Sequence, residues 1–197
     1  MTSLIVKSAN PQGKGTVPVL ESLQQAKLQL IAPAKNIHQI SSELFTSLII
    51  LNSQIRFKPT ANQSYWLYFK NDQYRLSLIA PEQWSPAQFG RFIGACELQS
   101  DLTWTLELSD DCANDRAFIQ EIADRRRQLE ETLQQAEKID DVLPVYLQTL
   151  PFYSRVLASG LAYSLKQSMQ KSGISGLSFR QAEQRLKSEN AIRFDAT

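Results

Sequence analysis

The spacing of apolar residues changes twice along this chain, and that change limits the fold more than any other feature. From Asn36 to Ile55 apolar residues recur at every third or fourth position, which is typical of one buried face of an amphipathic helix. Within residues 65–79 and 102–108 the period becomes two, which is typical of strands. After Asp110 the helical period returns. The sequence therefore predicts an α+β fold.

The central strands are predicted to form a small antiparallel sheet. Residues 65–79 contain two runs of aromatic and branched side chains separated by a polar Asn71-Asp72 turn, so they predict a β-hairpin. A further strand is expected at 102–108, paired with residues 92–98. We place the sheet at about residues 55–108, packed by a preceding helix and by two or three C-terminal helices.

The helical pattern after the sheet suggests how the chain is organised. Helices are expected over residues 115–140 and 152–171, and a short helix follows a capping-box pattern that begins at Ser178. We expect residues 1–110 to form an α+β core domain. Residues 111–197 are expected to form a helical region that packs on this domain without being independent.

Composition excludes several classes of protein. The longest purely apolar run is Leu48 to Leu51, which is too short to span a bilayer. Cys96 and Cys112 are too few for a disulfide framework, and no export signal precedes them, so we expect a cytoplasmic protein with reduced thiols. A net charge of +1 gives no global attraction to nucleic acid.

Four blocks of residues form a recognisable pattern: Asn10-Pro11-Gln12-Gly13, Tyr65-x-Leu67-Tyr68, Ser77-x-Ile79-x-Pro81-x-x-Trp84 and Phe92-x-Gly94-Ala95-x-x-Leu98-x-x-Asp101-x-x-Trp104-Thr105. Together they resemble an uncharacterised domain-of-unknown-function family that includes the human protein named for open reading frame 50 of chromosome 1. The resemblance covers about residues 10–108 and implies a small intracellular domain. It brings no activity, cofactor or catalytic residue, and the helices after Asp110 depart from the human form.

No set of residues predicts catalysis, and we expect no cofactor and no metal. The segment around Gly13-Lys14 lacks the spacing of a phosphate-binding loop, and His38 is the only histidine. Glu82, Glu97 and Asp101 lie around the predicted sheet and are the one candidate acid/base set. Asp101 also fits a simpler role, as a turn residue that fixes the entry to the next strand.

Aromatic residues are the richest feature of the predicted sheet. The hairpin would place Leu67, Phe69, Leu76 and Leu78 on one face and Trp66, Tyr68, Arg75 and Ser77 on the other. Exposed Trp66 and Tyr68 would form a platform for a partner, whereas C-terminal helices packed on this face would make them core. The candidate interaction surface consists of Trp66, Tyr68, Trp84, Asp101 and Trp104.

Three functional hypotheses remain open at this point. The leading one is a non-enzymatic protein-interaction module with a protein partner and no membrane contact. The second is a small-ligand-binding protein or enzyme with a pocket near the sheet, close to Glu82 or Asp101. The third, less favoured, is a nucleic-acid binder that uses the basic C-terminal helix, in which Arg180, Arg185 and Lys187 are diluted by Glu183.

Overall fold

The computed structural model describes residues 32–83, 85–145, 150 and 152–194. Within these residues, six α-helices and four strands follow one another in the order α1 (Ile37–Leu51), β1 (Ser64–Lys70), β2 (Gln73–Ser77), α2 (Pro86–Phe89), β3 (Arg91–Leu98), β4 (Trp104–Leu108), α3 (Asp110–Ala113), α4 (Arg116–Gln135), α5 (Phe152–Lys171) and α6 (Phe179–Phe194). Short 3-10 helices cover Pro81–Gln83 and Ile139–Val142. The α+β prediction is confirmed.

The four strands form one antiparallel sheet in the order β2-β1-β3-β4. The hairpin turn uses Asn71 and Asp72 with φ of 52° and 58°, a left-handed conformation that Asn and Asp tolerate better than most residues. The pairing of β1 with β3 shifts between Leu67 and Tyr68. Before the hairpin, Gln54 forms only an isolated parallel bridge to Arg75, so no strand forms at the start of the predicted sheet region.

Helix α1 begins with a complete capping box. The Gln39 backbone N–H donates to Asn36 Oδ1 at 3.0 Å, and the Asn36 N–H donates to Gln39 Oε1 at 2.9 Å. These bonds satisfy two amide groups that a helix start leaves without an intrahelical partner. The predicted apolar stripe is buried, with Ile40 and Leu44 fully inaccessible to solvent.

The sheet and α1 share one core. Side chains of β1 to β4 that face α1 include Tyr65, Leu67 and Trp104, each at most 2% exposed. The Trp104 backbone N–H donates to Ser47 Oγ on α1 at 3.0 Å, which joins β4 to the helix. Helix α5 packs against α1, and α4 lies near Tyr74, whose ring is 5.9 Å from the Arg125 guanidinium. We call this side of the sheet the inner face.

The close approach of β3 and β4 requires a glycine at position 94. A Cβ at this position would lie 2.1 Å from the Glu107 carbonyl oxygen on β4, far inside van der Waals contact. Any larger side chain at Gly94 would therefore force β3 and β4 apart. The glycine in the Phe92-x-Gly94-Ala95 block thus serves close strand packing.

The C-terminal helices largely follow the prediction. Helix α5 has the predicted bounds, and Ser178 caps α6 through reciprocal bonds with Gln181 at 2.9 and 3.4 Å. The helix predicted over 115–140 instead ends at Gln135. A separate 3-10 helix begins at Ile139, and the Ile139 backbone N–H donates to the Leu177 carbonyl at 3.0 Å rather than to the preceding helix. None of the described helices has both the length and the apolar character needed to cross a membrane.

Candidate functional site

The sheet side opposite α1 is the candidate site, and we call it the outer face. Because side chains alternate along a strand and cross-strand partners share a face, the pairing assigns each residue. The outer face consists of Ser64, Trp66, Tyr68, Lys70, Gln73, Arg75, Ser77, Phe92, Ala95, Glu97, Thr105 and Glu107. Ser64, Thr105 and Glu107 are exposed, whereas Trp66, Phe92 and Glu97 are half-buried. This face is therefore partly open to solvent.

Tyr68 is covered by residues 78–90, which we call the strap. The Tyr68 ring packs 5.5 Å from Phe92, and its hydroxyl donates to the Ile79 carbonyl at 3.0 Å. Tyr68 is only 2% exposed, and burial, with the Glu82 charge adding to it, raises its pKa to about 12. Tyr68 thus lies on the outer face without being open to a partner.

The strap is anchored at its other end by Lys70. The Lys70 ammonium donates to the carbonyl oxygens of Ala87 at 2.9 Å and Gln88 at 3.0 Å. These residues belong to α2, which packs against β1. The strap, rather than a C-terminal helix, therefore covers this end of the outer face. Trp84 belongs to the strap but lies outside the described residues.

Trp66 lies in the middle of the outer face and is half-buried. Its cross-strand neighbours are Ser77 on β2 and Ala95 on β3, and Ala95 in turn is opposite Glu107. Small neighbours leave the indole only partly shielded, and carboxylates of Glu97 and Glu107 lie on the same face. This part of the outer face combines a half-buried aromatic ring with carboxylates toward β3 and β4, and Arg75 lies on the β2 side.

Trp104 belongs to the inner face. Its ring is 2% exposed and lies 5.6 Å from the Tyr65 ring at an interplanar angle of 60°. Its backbone N–H donates to Ser47 Oγ, which holds β4 on α1. Trp104 is therefore not on the same surface as Trp66, which the sequence pattern alone did not distinguish.

Asp101 is a buried turn residue that also forms an ion pair. Its carboxylate accepts hydrogen bonds from the Thr103 N–H at 3.1 Å and the Thr103 hydroxyl at 2.6 Å. Its other oxygen accepts from Lys35 Nζ at 2.5 Å, and the same ammonium contacts Glu43 at 2.5 Å. The two carboxylates and Lys35 form a charged cluster, which ties the segment before α1 to the turn between β3 and β4.

The charged cluster shifts the pKa values of its two acids in opposite directions. Burial raises the pKa of Glu43, because the bond and charge of Lys35 oppose it only in part. Burial also works to raise the pKa of Asp101, but the hydrogen bonds from Lys35 and Thr103 outweigh it and hold that pKa below its usual value. Sequence reasoning missed Lys35 and Glu43, since a pair 66 residues apart leaves no local pattern.

The candidate acid/base set does not lie in one place. Asp101 is committed to Lys35, Glu97 is on the outer face, and Glu82 is exposed in the strap. His38 is exposed on α1, 3.6 Å from Glu183. Among the described residues no group of three or more metal-binding side chains occurs.

The two cysteines are separate, buried and free. Burial raises the pKa of Cys96 to about 12, which keeps it a thiol. Cys112 contacts the Phe92 carbonyl through its sulfur at 3.5 Å. Both therefore lie in the core as small, buried free thiols.

Cavities between the described residues lie away from the outer face. One of about 430 Å³ lies between the start of α1, the end of α5 and α6. Another, of about 230 Å³, lies between the hairpin and α4, beside Tyr74, Arg91 and Phe118. Glu82 and Asp101 line neither of these two cavities, although the sequence had suggested a pocket beside them.

Comparison with known proteins identifies a family but no function. No curated protein and no solved structure matches this chain. The family described as "Protein of unknown function (DUF2452)" matches residues 25–125. The match leaves out the Asn10-Pro11-Gln12-Gly13 block and extends beyond residue 108 into α4. Because it covers more than half of the sequence, the chain belongs to this family of unknown function.

Proposed function

We propose that this chain is a non-enzymatic protein-interaction module, which binds a protein partner through the outer face. The observation that carries the proposal is the half-buried Trp66 on a sheet face opposite the one packed by α1. Tryptophan is enriched among residues that dominate protein–protein binding, because it combines a large apolar surface with one polar group. Its cross-strand neighbours Ser77 and Ala95 place Trp66 on an inner strand of the sheet, with strand residues on both sides.

Charge on the β3–β4 half of the outer face favours a protein over a nucleic acid. Glu97 and Glu107 lie there, on the same face as Trp66, and would repel a phosphate backbone. The basic residues Arg75 and Lys70 lie on the β1–β2 half, and Lys70 is bonded to the strap, so a stacking platform for bases would have basic neighbours on one side only. The same carboxylates are complementary to lysine or arginine side chains. The partner is therefore a polypeptide that presents an apolar side chain beside basic residues.

The nucleic-acid alternative depends on the basic residues of α6. Arg185 already donates to the Gly173 carbonyl at 2.8 Å, and Glu183 lies 3.6 Å from His38. Because these side chains already bond to or lie beside other groups of the chain, α6 offers a weaker basic surface than its sequence suggests. Binding to mixed DNA that falls steeply with salt would favour this alternative over the protein partner.

Comparative affinity capture tests the outer face. Trp66→Ala and Glu107→Lys remove the aromatic and the charged element, and Tyr153→Ala is the control because Tyr153 is a 46% exposed aromatic on α5. We expect the first two variants to lose partners that the parent chain and Tyr153→Ala both retain. The proposal is wrong if all four proteins capture the same partners in the same amounts.

We also propose that residues 111–197 are not an independent domain. Supporting this, Leu161 and Leu165 of α5 belong to the same buried cluster as Ile40 and Leu44 of α1. A chain ending at residue 110 would leave that side of α1 in water. We expect such a chain to be unfolded, which circular dichroism would show as a loss of helical signal.

We propose the cytoplasm as the compartment, and the two free cysteines support this. We also propose that the relatives of this chain include the human protein of open reading frame 50 of chromosome 1.

A further inference from the structure

We infer that the free edge of β4 binds an extended polypeptide segment of alternating apolar and basic residues, which adds to the sheet as an antiparallel strand. The inference rests on the proposed function, because it specifies how a polypeptide partner binds. It uses a different part of the sheet, since β3 lies between β4 and the strand that carries Trp66. In strand addition, main-chain hydrogen bonds supply the affinity and alternate side chains supply the specificity.

The pairing of β4 with β3 shows which backbone groups of β4 face outward. Directly after β4, the Ser109 N–H donates to the Ile93 carbonyl at 2.8 Å, so Ser109 faces β3. Along an antiparallel pair, residues that bond to the neighbouring strand alternate with residues that face away from it. Because the register is regular, Glu107 also bonds to β3, whereas the N–H and C=O groups of Leu106 and Leu108 face the free edge. Within the described part of the chain, no group bonds to these outward groups.

The opposite edge of the sheet is bridged by a segment of the same chain. The Gln54 N–H donates to the Tyr74 carbonyl at 2.8 Å, and the Leu76 N–H donates to the Gln54 carbonyl at 3.1 Å. The start of β4 is occupied as well, because the Trp104 N–H donates to α1. Unpaired backbone groups at a sheet edge are a template for another strand. The open edge therefore lies at residues 106–108.

The side chains of the open edge alternate in character. Leu106 and Leu108 are half-buried against the core on the inner face, whereas Thr105 and Glu107 are exposed on the outer face. A partner side chain opposite Leu106 would extend the apolar core. A partner side chain opposite Glu107 would lie on the outer face, where lysine or arginine is complementary. The ion pairs of the described residues do not include Glu107.

A second copy of this chain fits the open edge less well than a basic segment. Two copies related by a twofold axis pair the same surface on both chains. A register centred on Glu107 pairs Leu106 with Leu108, but it places two carboxylates directly opposite each other, which is destabilising. A register centred on Leu106 brings the second copy against Trp104, whose N–H is held by α1. A register centred on Leu108 brings it against Asp110, where α3 begins.

Titration of the full chain with defined peptides tests this inference. The lysine peptide is acetylated and amidated Thr-Val-Lys-Val-Lys-Val-Thr, and the glutamate peptide has glutamate in place of lysine. Chemical-shift changes of the β4 backbone amides report binding. We expect saturable binding of the lysine peptide with a Kd below about 1 mM. The glutamate peptide should bind at least about tenfold more weakly, because it places like charges opposite Glu107.

Two methylated forms of the lysine peptide test the backbone bonds. N-methyl groups on the backbone nitrogens of the valines remove the donors that would face β4, so binding should be lost. N-methyl groups on the backbone nitrogens of the lysines lie on the far side of the added strand, so this matched control should still bind. A second copy or an unordered contact would not distinguish the two forms.

Variants of the chain locate the binding. Leu106→Pro removes an outward N–H at a position where an edge strand accepts proline, and it should weaken binding of the lysine peptide about tenfold. Leu106→Val keeps this N–H and is the matched control. Glu107→Lys should reverse the preference, so that the glutamate peptide binds more tightly than the lysine peptide. Trp66→Ala should leave peptide binding unchanged, because Trp66 lies on β1.

Any of four results would overturn the inference. They are no saturable binding of the lysine peptide up to about 5 mM, equal binding of the two methylated forms, an unchanged preference in Glu107→Lys, and a dimer of the free chain that Leu106→Pro dissociates. If Leu106→Pro lowers the unfolding temperature, Glu107→Lys and the methylated peptides decide. Loss of captured partners in Trp66→Ala together with any of these results would refute only the β4 edge and leave the proposed function standing.

Discussion

The two faces of the sheet carry similar aromatic residues in different environments. On the inner face Tyr65 and Trp104 are at most 2% exposed and pack against each other and α1. On the outer face Trp66 and Phe92 are half-buried, and the strap bonds to Tyr68 at one end of that face. The type of side chain therefore does not show which face is core. Among the described residues, the difference arises because α1 occupies one face and a short strap lies on the other.

The largest expected effect separates the two tryptophans. Trp104→Ala should lower the free energy of unfolding by about 3 to 5 kcal/mol, because it removes a buried ring and leaves a cavity. Trp66→Ala, at a half-buried position, should cost at most about 1 kcal/mol. Chemical denaturation of both variants measures the difference, and equal losses would contradict the contrast between the faces.

The charged cluster should have the next largest effect. Asp101→Asn removes one of the two carboxylates that contact Lys35 and leaves Glu43, so we expect a loss of about 1.5 to 3 kcal/mol at neutral pH. Denaturation at pH 7 measures it. The control is Glu97→Gln on the outer face, which should change stability by at most about 0.5 kcal/mol.

The stability lost in Asp101→Asn should depend on pH in a definite direction. Because the pKa of Asp101 is lowered by folding, its contribution is present above the ordinary carboxyl value of about 4 and is lost as pH falls below it. Glu43 has a raised pKa and therefore works in the opposite sense, since it costs stability as pH rises through its titration. The difference in free energy of unfolding between the parent chain and Asp101→Asn should shrink as pH falls from about 5 to 3. A difference that stays constant over this range would rule out a stabilising role for the ionised Asp101 carboxylate.

The smallest expected effect concerns the strap. Tyr68→Phe removes the hydroxyl that donates to Ile79, and it should cost about 0.5 to 1.5 kcal/mol. Hydrogen exchange of the amides in residues 78–90 should become faster than in the parent chain. In the parent chain, one tyrosine should titrate near 12 by ultraviolet absorbance and be absent in the variant. Unchanged exchange in the strap would mean that α2 and Lys70 hold it alone.

Much of the fold could be predicted from sequence because its signals are local. The alternation in residues 65–79, the Asn71-Asp72 turn and the Ser178 capping pattern each involve neighbouring residues. The α5 bounds followed from a helical repeat and a glycine stop. Leu78 was assigned to the buried face but lies beyond β2 and is 51% exposed, since the strand ends where the strap begins.

The candidate site was harder to predict, because its members are related only through space. The sequence grouped Trp66 with Trp104, although β1 and β4 present them on opposite faces. Lys35 was not singled out, because its partner Asp101 is distant along the chain. The open edge of β4 depends on the strand order and on the Gln54 bridge at the other edge, which no single segment indicates.

By itself the sequence determined where helices and strands form and where they are capped, because hydrophobic period and capping act over a few residues. Only the tertiary structure decided which sheet face α1 covers and which two acids contact Lys35. It also decided that Arg185 bonds to the Gly173 carbonyl. The physical reason is that burial and charge pairing depend on distances between segments far apart in the chain. Chemically similar residues such as Trp66 and Trp104 acquire different roles only when those segments pack.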